Sequence, residues 1–212
     1  MFKFTVLASF IFGFASAFLN SHKCPQLQPM SLFHMNKFSG VWYGVQSENN
    51  IPACEIFKIT HKAEHLNFNM NTETKIEADG EKYRTSYSET LTIPDIDVPA
   101  HMSVSPIPRV SGILSLKVGH MVQSNFTVIG TDYESYALVY RSDGFIYHSL
   151  KNKKNVEDCS HYAQIWSRTP VLSDSFNSKV KLIVDNHPFE TLLYNLNDSL
   201  NKTGCTPDTN NW

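Results

Sequence analysis

The sequence predicts an all-β domain, an eight-stranded antiparallel up-and-down barrel with a C-terminal α-helix packed outside. Three observations carry that expectation. Aromatic and β-branched residues fall into short runs punctuated at intervals by Gly and Pro. Several of these runs alternate apolar and polar side chains with period two, the mark of a strand with one buried face. After Pro170 the spacing of apolar residues changes to that of a helix.

The chain opens on Lys3, an apolar run Phe4–Phe14 and the small residues Ala15-Ser16-Ala17. This is the grammar of a secretory signal peptide, residues 1–17. The run is too short to span a membrane, which needs about 20 residues. A single domain, 18–212, is expected to follow. It divides into an N-terminal arm (18–37), a barrel (38–170) and a helix with tail (171–205). The arm, with Pro25 and no periodicity, should pack across the closed end of the barrel.

Ser39-Gly40 suits a tight turn, because glycine tolerates backbone angles closed to other residues. The first strand follows from Val41 to Ser47. The second, Cys54–His61, alternates, with Glu55, Phe57 and Ile59 on one face. The third is Leu66–Asn71, and Asp79-Gly80 is a hairpin signal leading into the fourth, Lys82–Thr92. Pro94, Pro99, Pro106 and Pro108 break the next stretch, which places the fifth strand at Gly112–Val118. Asn125–Gly130 and Tyr133–Tyr140 are the sixth and seventh. Tyr162–Arg168 closes the barrel, and Phe145–Leu150 belongs to a long hairpin before it. Ser173 or Asp174 can cap a helix whose buried stripe is Phe176, Val180 and Ile183.

A formal net charge of −2 without blocks of like charge gives no sign of a nucleic-acid or membrane surface. Four cysteines in an exported chain imply two disulfides, with three connectivities open. Asn125, Asn197 and Asn201 head N-x-S/T sequons, hence potential glycan sites that should be exposed. If Asn125 points outward, Phe126 and Val128 point inward.

His61-Lys62-Ala63-Glu64-His65 matches the inverted zinc-protease pattern. That chemistry needs a helix, and here the flanking residues have the period of strands, so these are turn histidines and no metal site is expected. No G-x-S-x-G elbow is present. Isomerase chemistry by a thiol inside the barrel would need an unpaired cysteine. The expectation is a non-enzyme.

Three stretches taken together carry a family likeness: Gly40-Val41-Trp42-Tyr43, the run Thr131–Tyr140 that opens Thr-Asp-Tyr, and Ser167-Arg168-Thr169-Pro170. In this order and at these distances they resemble the lipocalin family, and within it the apolipoprotein D-like, insect bilin-binding branch. The likeness runs from about Cys24 to Cys205. It implies that Gly40, Trp42, Thr131, Asp132, Tyr133 and Arg168 build the closed end, with Arg168 stacked over the Trp42 indole. It favours a Cys54–Cys205 disulfide, which leaves Cys24–Cys159. Here the chain departs from much of the branch, in which the partner of the first cysteine falls where this sequence has Arg141-Ser142.

The likeness also implies a cup for one small hydrophobic ligand. With period-two parity, Phe57, Ile59, Phe126, Val128, Ala137, Val139, Gln164 and Trp166 are the expected contacts, and Tyr136 and Tyr140 face outward under the helix. Candidate ligands are a bilin or other hydrophobic pigment, a retinoid or carotenoid, a sterol, a fatty acid or an odorant-like compound, none of them an obligatory cofactor. Further partners implied are a second copy of the chain or a cell-surface receptor. A lipocalin working through its outer surface, as a pigment-complex subunit or receptor ligand, is the alternative.

Overall fold

Eight strands join edge to edge in chain order and close into a barrel, every pairing antiparallel and β1 returning to β8, in the computed structural model of the chain. The strands are β1 Gly40–Ser47, β2 Ala53–His61, β3 Asn67–Ala78, β4 Glu81–Thr92, β5 His101–Ser105, β6 His120–Thr131, β7 Tyr136–Ser149 and β8 Lys154–Ser167, preceded by one helical turn, α1 Met35–Phe38. The structure describes residues 24–47, 53–62, 66–78, 81–105, 120–149 and 153–170, together with 178, 179, 182, 183 and 185. Those last five are all helical, within the stretch where a helix is expected.

Two expected strand positions move. The fifth strand of the barrel is His101–Ser105, and 112–118 lies outside the described residues. Pro99 and Pro106 bound this strand without entering it, and five residues suffice to turn Met102 and Val104 inward. The seventh strand begins at Tyr136, not Tyr133. The Asp132 carboxylate accepts the backbone N–H groups of Glu134, Ser135 and Tyr136 at 3.2, 2.8 and 3.0 Å, and Tyr133 takes a left-handed φ of 68°, so these residues form a turn.

β3, β6, β7 and β8 also run longer than their apolar patterns. β3 pairs with β4 from Asn67↔Thr92 to Ala78↔Glu81, leaving residues 79 and 80 as the connection. Residues 141–149 and 154–160 are the outer half of one hairpin, in which β7 and β8 stay paired from Tyr136↔Ser167 out to Ser149↔Lys154.

Two apolar clusters lie on either side of the wall. The inner one gathers Phe38, Trp42, Phe57, Ile59, Met70, Leu91, Met102, Phe126, Val128, Ala137, Val139 and Trp166. The outer one, Leu27, Ile129, Tyr136, Leu138, Tyr140, Ala163 and Ile165, packs against Ile183 of the C-terminal helical residues. Tyr136 and Tyr140 belong to the outer cluster and Ala137 and Val139 to the inner one.

The arm is fastened in three ways. Cys24 and Cys159 form a disulfide, Tyr140 donates its hydroxyl to the Pro25 carbonyl at 2.9 Å, and the Met30 amide donates to Val128 O at 2.9 Å. Cys54 is also disulfide-bonded; Cys205, its expected partner, lies outside the described residues. Among the described residues no cysteine is free.

Candidate functional site: the barrel interior

The closed end is sealed by the residues that the three sequence stretches supply. Trp42 is fully buried and donates its indole N–H to Phe38 O at 2.7 Å. The Arg168 guanidinium carbon lies 3.7 Å from the Trp42 ring centroid, close enough for a cation–π contact. The same guanidinium donates to the carbonyls of Tyr133, Val41, Lys37, Phe38 and Ser39 at 2.8–3.3 Å. It thus ties the end of β8 to α1, the start of β1 and the β6–β7 turn. Gly40 is required twice over: its φ is +108°, and a Cβ there would sit 3.0 Å from Arg168 Nη1. Thr131 Oγ1 donates to Tyr136 O at 2.6 Å and accepts the Tyr133 amide at 2.9 Å. Burial by itself would raise the Asp132 pKa, but the amides of Tyr136, Ser135 and Glu134 and the Ser135 hydroxyl outweigh it and hold the carboxyl low.

Above the seal lies an aromatic floor. Phe57 and Trp166 stack with ring centroids 4.1 Å apart, and Phe38 and Phe126 pack on Trp166 at 6.1 and 5.3 Å. Seven of the eight expected contact residues, Phe57, Ile59, Phe126, Val128, Ala137, Val139 and Trp166, belong to this packed inner cluster. The eighth, Gln164, stands one step higher. It accepts the Trp166 indole N–H at 2.9 Å and donates to Glu55 at 2.6 Å. The Glu55–Gln164 pair therefore sits directly over the Phe57–Trp166 stack, two residues along each strand.

That pair opens a polar belt, and here the interior is less apolar than expected. Following the pairings round the wall, Thr72 and Tyr87 continue the Phe57 row, Glu89 continues the Ile59–Met70 row, and Arg141 and Tyr162 continue the Met102–Phe126 row. Arg141 grips Glu89 with a bidentate fork at 2.9 and 2.8 Å, and reaches Ser124 at 3.2 Å and Asp143 at 3.3 Å. Ser124 in turn donates to Asp143 at 2.6 Å. Burial works to lower the Arg141 pKa, but Glu89, helped by Tyr162 and Asp143, raises it, so the guanidinium stays charged. Burial raises the pKa of Glu55 against the opposing hydrogen bond from Gln164. Tyr87 and Tyr162 are raised by burial too, and both phenols feel Glu55 and Arg141, so the belt is one electrostatic unit across the barrel.

Tyr87 lies on the inward face yet is 47% exposed, while Leu91 four residues nearer the floor is fully buried. Thr72, Glu89, Gln164 and Arg141 of the belt are buried, and Tyr87 marks the edge of the described interior that reaches solvent. The parity expected from the sequence ends at Val139 and leaves out the fourth strand. Carrying the same period forward to Arg141 and Asp143, and back from Leu91 to Glu89 and Tyr87, locates the belt.

No family model matches the sequence, and no curated protein matches it. Among solved structures, a biogenic amine-binding protein superposes with a TM-score of 0.55 at 16% identity, over 76% of this chain and 80% of that one. Insecticyanin from the tobacco hornworm Manduca sexta gives 0.52 at 20% identity, over 80% of each chain. Both are lipocalins, and the closed eight-stranded barrel here matches theirs. This chain has the lipocalin fold.

Within that fold the remaining sequence signals settle into plain roles. Asn125 lines an outer groove between the arm and β6–β7, while its neighbours Phe126 and Val128 point into the barrel. Asn197 and Asn201 lie outside the described residues. His61 is the last residue of β2, so the zinc-protease-like string starts on a strand; residues 63–65 lie outside the described set. Among the described residues no group of three His, Cys, Asp or Glu side chains is placed to hold a metal.

Proposed function

We propose that this chain is a secreted lipocalin that binds and carries one small molecule with a hydrophobic body in the cup above the Phe57–Trp166 floor. The observation that carries the reading is Tyr87, inward-facing and half-exposed over a sealed aromatic base. The driving force is transfer of apolar ligand surface out of water, at roughly 25 cal/mol per Å² before binding costs. Bilins, retinoids, carotenoids and sterols are candidate occupants, and a bound pigment is one form the ligand can take. A fatty acid fits less well, because the belt guanidinium already serves Glu89 and Asp143. The signal-like residues 1–17 and the disulfide at Cys24–Cys159 support an extracellular setting. No described helix is long and apolar enough to cross a membrane. The role is binding, with Asn125 available to carry a glycan.

The test is titration with the neutral fluorescent dye N-phenyl-1-naphthylamine. Saturable, one-to-one enhancement that a Phe57→Glu substitution abolishes supports an interior site. Enhancement that survives that substitution removes it.

A second reading has its own observation. At the closed end Leu32 and Ile96 are 88% and 70% exposed, beside a groove lined by Phe33, His61, Leu66 and Ile93. An exposed apolar patch of this kind suits a protein partner, either a second copy or a receptor. Dye binding by a protein that also self-associates, and that turns monomeric on Ile96→Asp, would favour it.

A further inference from the structure

The sequon Asn125-Phe126-Thr127 lies within β6, a strand paired on both sides, where a bulky group needs space on the outer face. The neighbours leave that space. Asn125 pairs across the sheet with Ser103 on β5 and Ser142 on β7, both small. Its Oδ1 accepts one long bond, from Gln123 Nε2 at 3.4 Å, and among the described residues its Nδ2 donates to no group. The nitrogen to which a sugar attaches is therefore uncommitted.

Asn125 also lines a groove of about 600 Å³ on the outside of the wall. That volume lies within the roughly 300–1,000 Å³ of small-molecule sites. One side of the groove is the arm, through Pro25, Leu27 and Pro29, and the other is the β6–β7 pair, through Val122 and Phe145. Val122 is 51% exposed, an apolar side chain left open to water beside the sequon. The side-chain amides of Gln26 and Gln123 border the same space. Apolar surface edged by amides suits an N-acetylhexosamine, which offers an acetyl methyl and a pyranose C–H face together with hydroxyls and an amide of its own.

Thr127 fixes the order of events. It is 3% exposed in the fold, and its hydroxyl, which the sequon requires, lies 2.8 Å from His101 Nδ1. Attachment therefore precedes the closing of β5 on β6. On the extended chain, Asn125 Nδ2 displaces the pyrophosphate of a lipid-linked oligosaccharide at the sugar's anomeric carbon. The C1–O bond breaks and its electron pair leaves on the lipid pyrophosphate, the N–C1 bond forms, and one amide proton passes to solvent.

We propose that Asn125 is glycosylated and that its first N-acetylglucosamine lies in this groove, bracing the arm against β6 and β7. This rests on the secretory reading above and is independent of what the barrel holds. The sugar covers Val122 and adds to the hold that the Cys24–Cys159 bridge and the Met30 amide bond to Val128 O already give.

The test expresses the full chain, with its own residues 1–17, in eukaryotic cells that add oligomannose glycans. Peptide mass mapping of the secreted protein should find a glycan on Asn125, absent in Asn125→Gln. Endoglycosidase H then trims each glycan to a single sugar. Hydrogen exchange at the Met30 amide should be unchanged by trimming and faster by about threefold or more in Asn125→Gln. Should that variant fail to fold, Thr127→Ser, a poorer acceptor that keeps a hydroxyl for His101, supplies glycosylated and bare molecules of one sequence for the same comparison. A secreted chain bare at Asn125, or Met30 exchange that is indifferent to the glycan, overturns the proposal and leaves the secretory reading standing. Exchange that rises on trimming puts the contact beyond the first sugar and overturns the groove seat. A chain retained in the cell without any glycan overturns the secretory reading and this one with it.

Discussion

Removing Glu89 should expose how much the interior of this barrel depends on one ion pair. Glu89 and Arg141 are 5% and 8% exposed, face each other across the cup and share two hydrogen bonds of 2.8 and 2.9 Å. Breaking a buried pair from one side costs about 3–5 kcal/mol, because the remaining charge stays desolvated. In Glu89→Ala the guanidinium keeps Asp143 at 3.3 Å and Ser124 at 3.2 Å. These offset part of the loss, so we expect about 2–3 kcal/mol. Glu89→Gln, which keeps one acceptor, should lose about 1–2 kcal/mol. In the double variant Glu89→Ala/Arg141→Met both charges go and the apolar stem remains. It should lie within about 1 kcal/mol of the parent, well short of the two single losses summed, and a double-mutant cycle reads the shortfall as coupling between the pair. The assay is urea unfolding followed by tryptophan fluorescence, with Trp42 in the seal and Trp166 in the floor, and with a common m-value required across the set. A loss below about 0.5 kcal/mol in Glu89→Ala, or a double variant as unstable as the two singles summed, would refute the reasoning.

Other consequences follow from the same geometry. Arg168→Met, which removes the carbonyl clamp and the stack over Trp42, should cost about 2–4 kcal/mol by urea unfolding, and Arg168→Lys should recover less than half of that. The Asp132 carboxyl is held below its ordinary value in the fold, so its stabilisation is complete above the unfolded-state pKa near 4 and is lost as pH falls through the lower folded pKa. Asp132→Asn should flatten the acid limb of the stability–pH profile below about pH 4, and an unchanged limb would count against the turn assignment. The Cys24–Cys159 bridge closes a loop with a sequence separation of 135. Replacing both cysteines by serine should cost about 3–5 kcal/mol, and limited proteolysis should then cut first in the arm.

The closed end was legible in the sequence because its parts are chemically specific. Gly40 announces a turn, Trp42 needs a large pocket with an acceptor, and Arg168 is positioned to cover it; all three do so. Parity on the second, sixth, seventh and eighth strands was also legible, since Phe57, Val128, Val139 and Trp166 alternate with residues of contrasting polarity or with the outward tyrosines. The upper half of the barrel was not. Hydrophobic alternation marks strands only where one face is apolar. Along Thr72–Ala78 and Glu81–Glu89 both faces are largely polar, so the signal that traced the floor faded where the belt begins. The fifth strand was hidden differently. Its proline-free core is five residues long between Pro99 and Pro106, and the longer run at 112–118 drew the assignment away. Asp132 shows a third limit: one carboxylate collecting three amides turned the first residues of an apparently continuous strand into a loop.

The central claim, that the barrel holds a small molecule, is tested most directly by native mass spectrometry of the protein secreted from its own tissue, with an absorbance spectrum of the same sample. The account predicts a non-covalent mass of a few hundred daltons, on the scale of a ligand that a cup of this kind encloses. That mass should be lost on organic extraction and regained on adding the extract back. A protein that is bare as secreted, and stays bare after challenge with pigment and lipid panels, would contradict it.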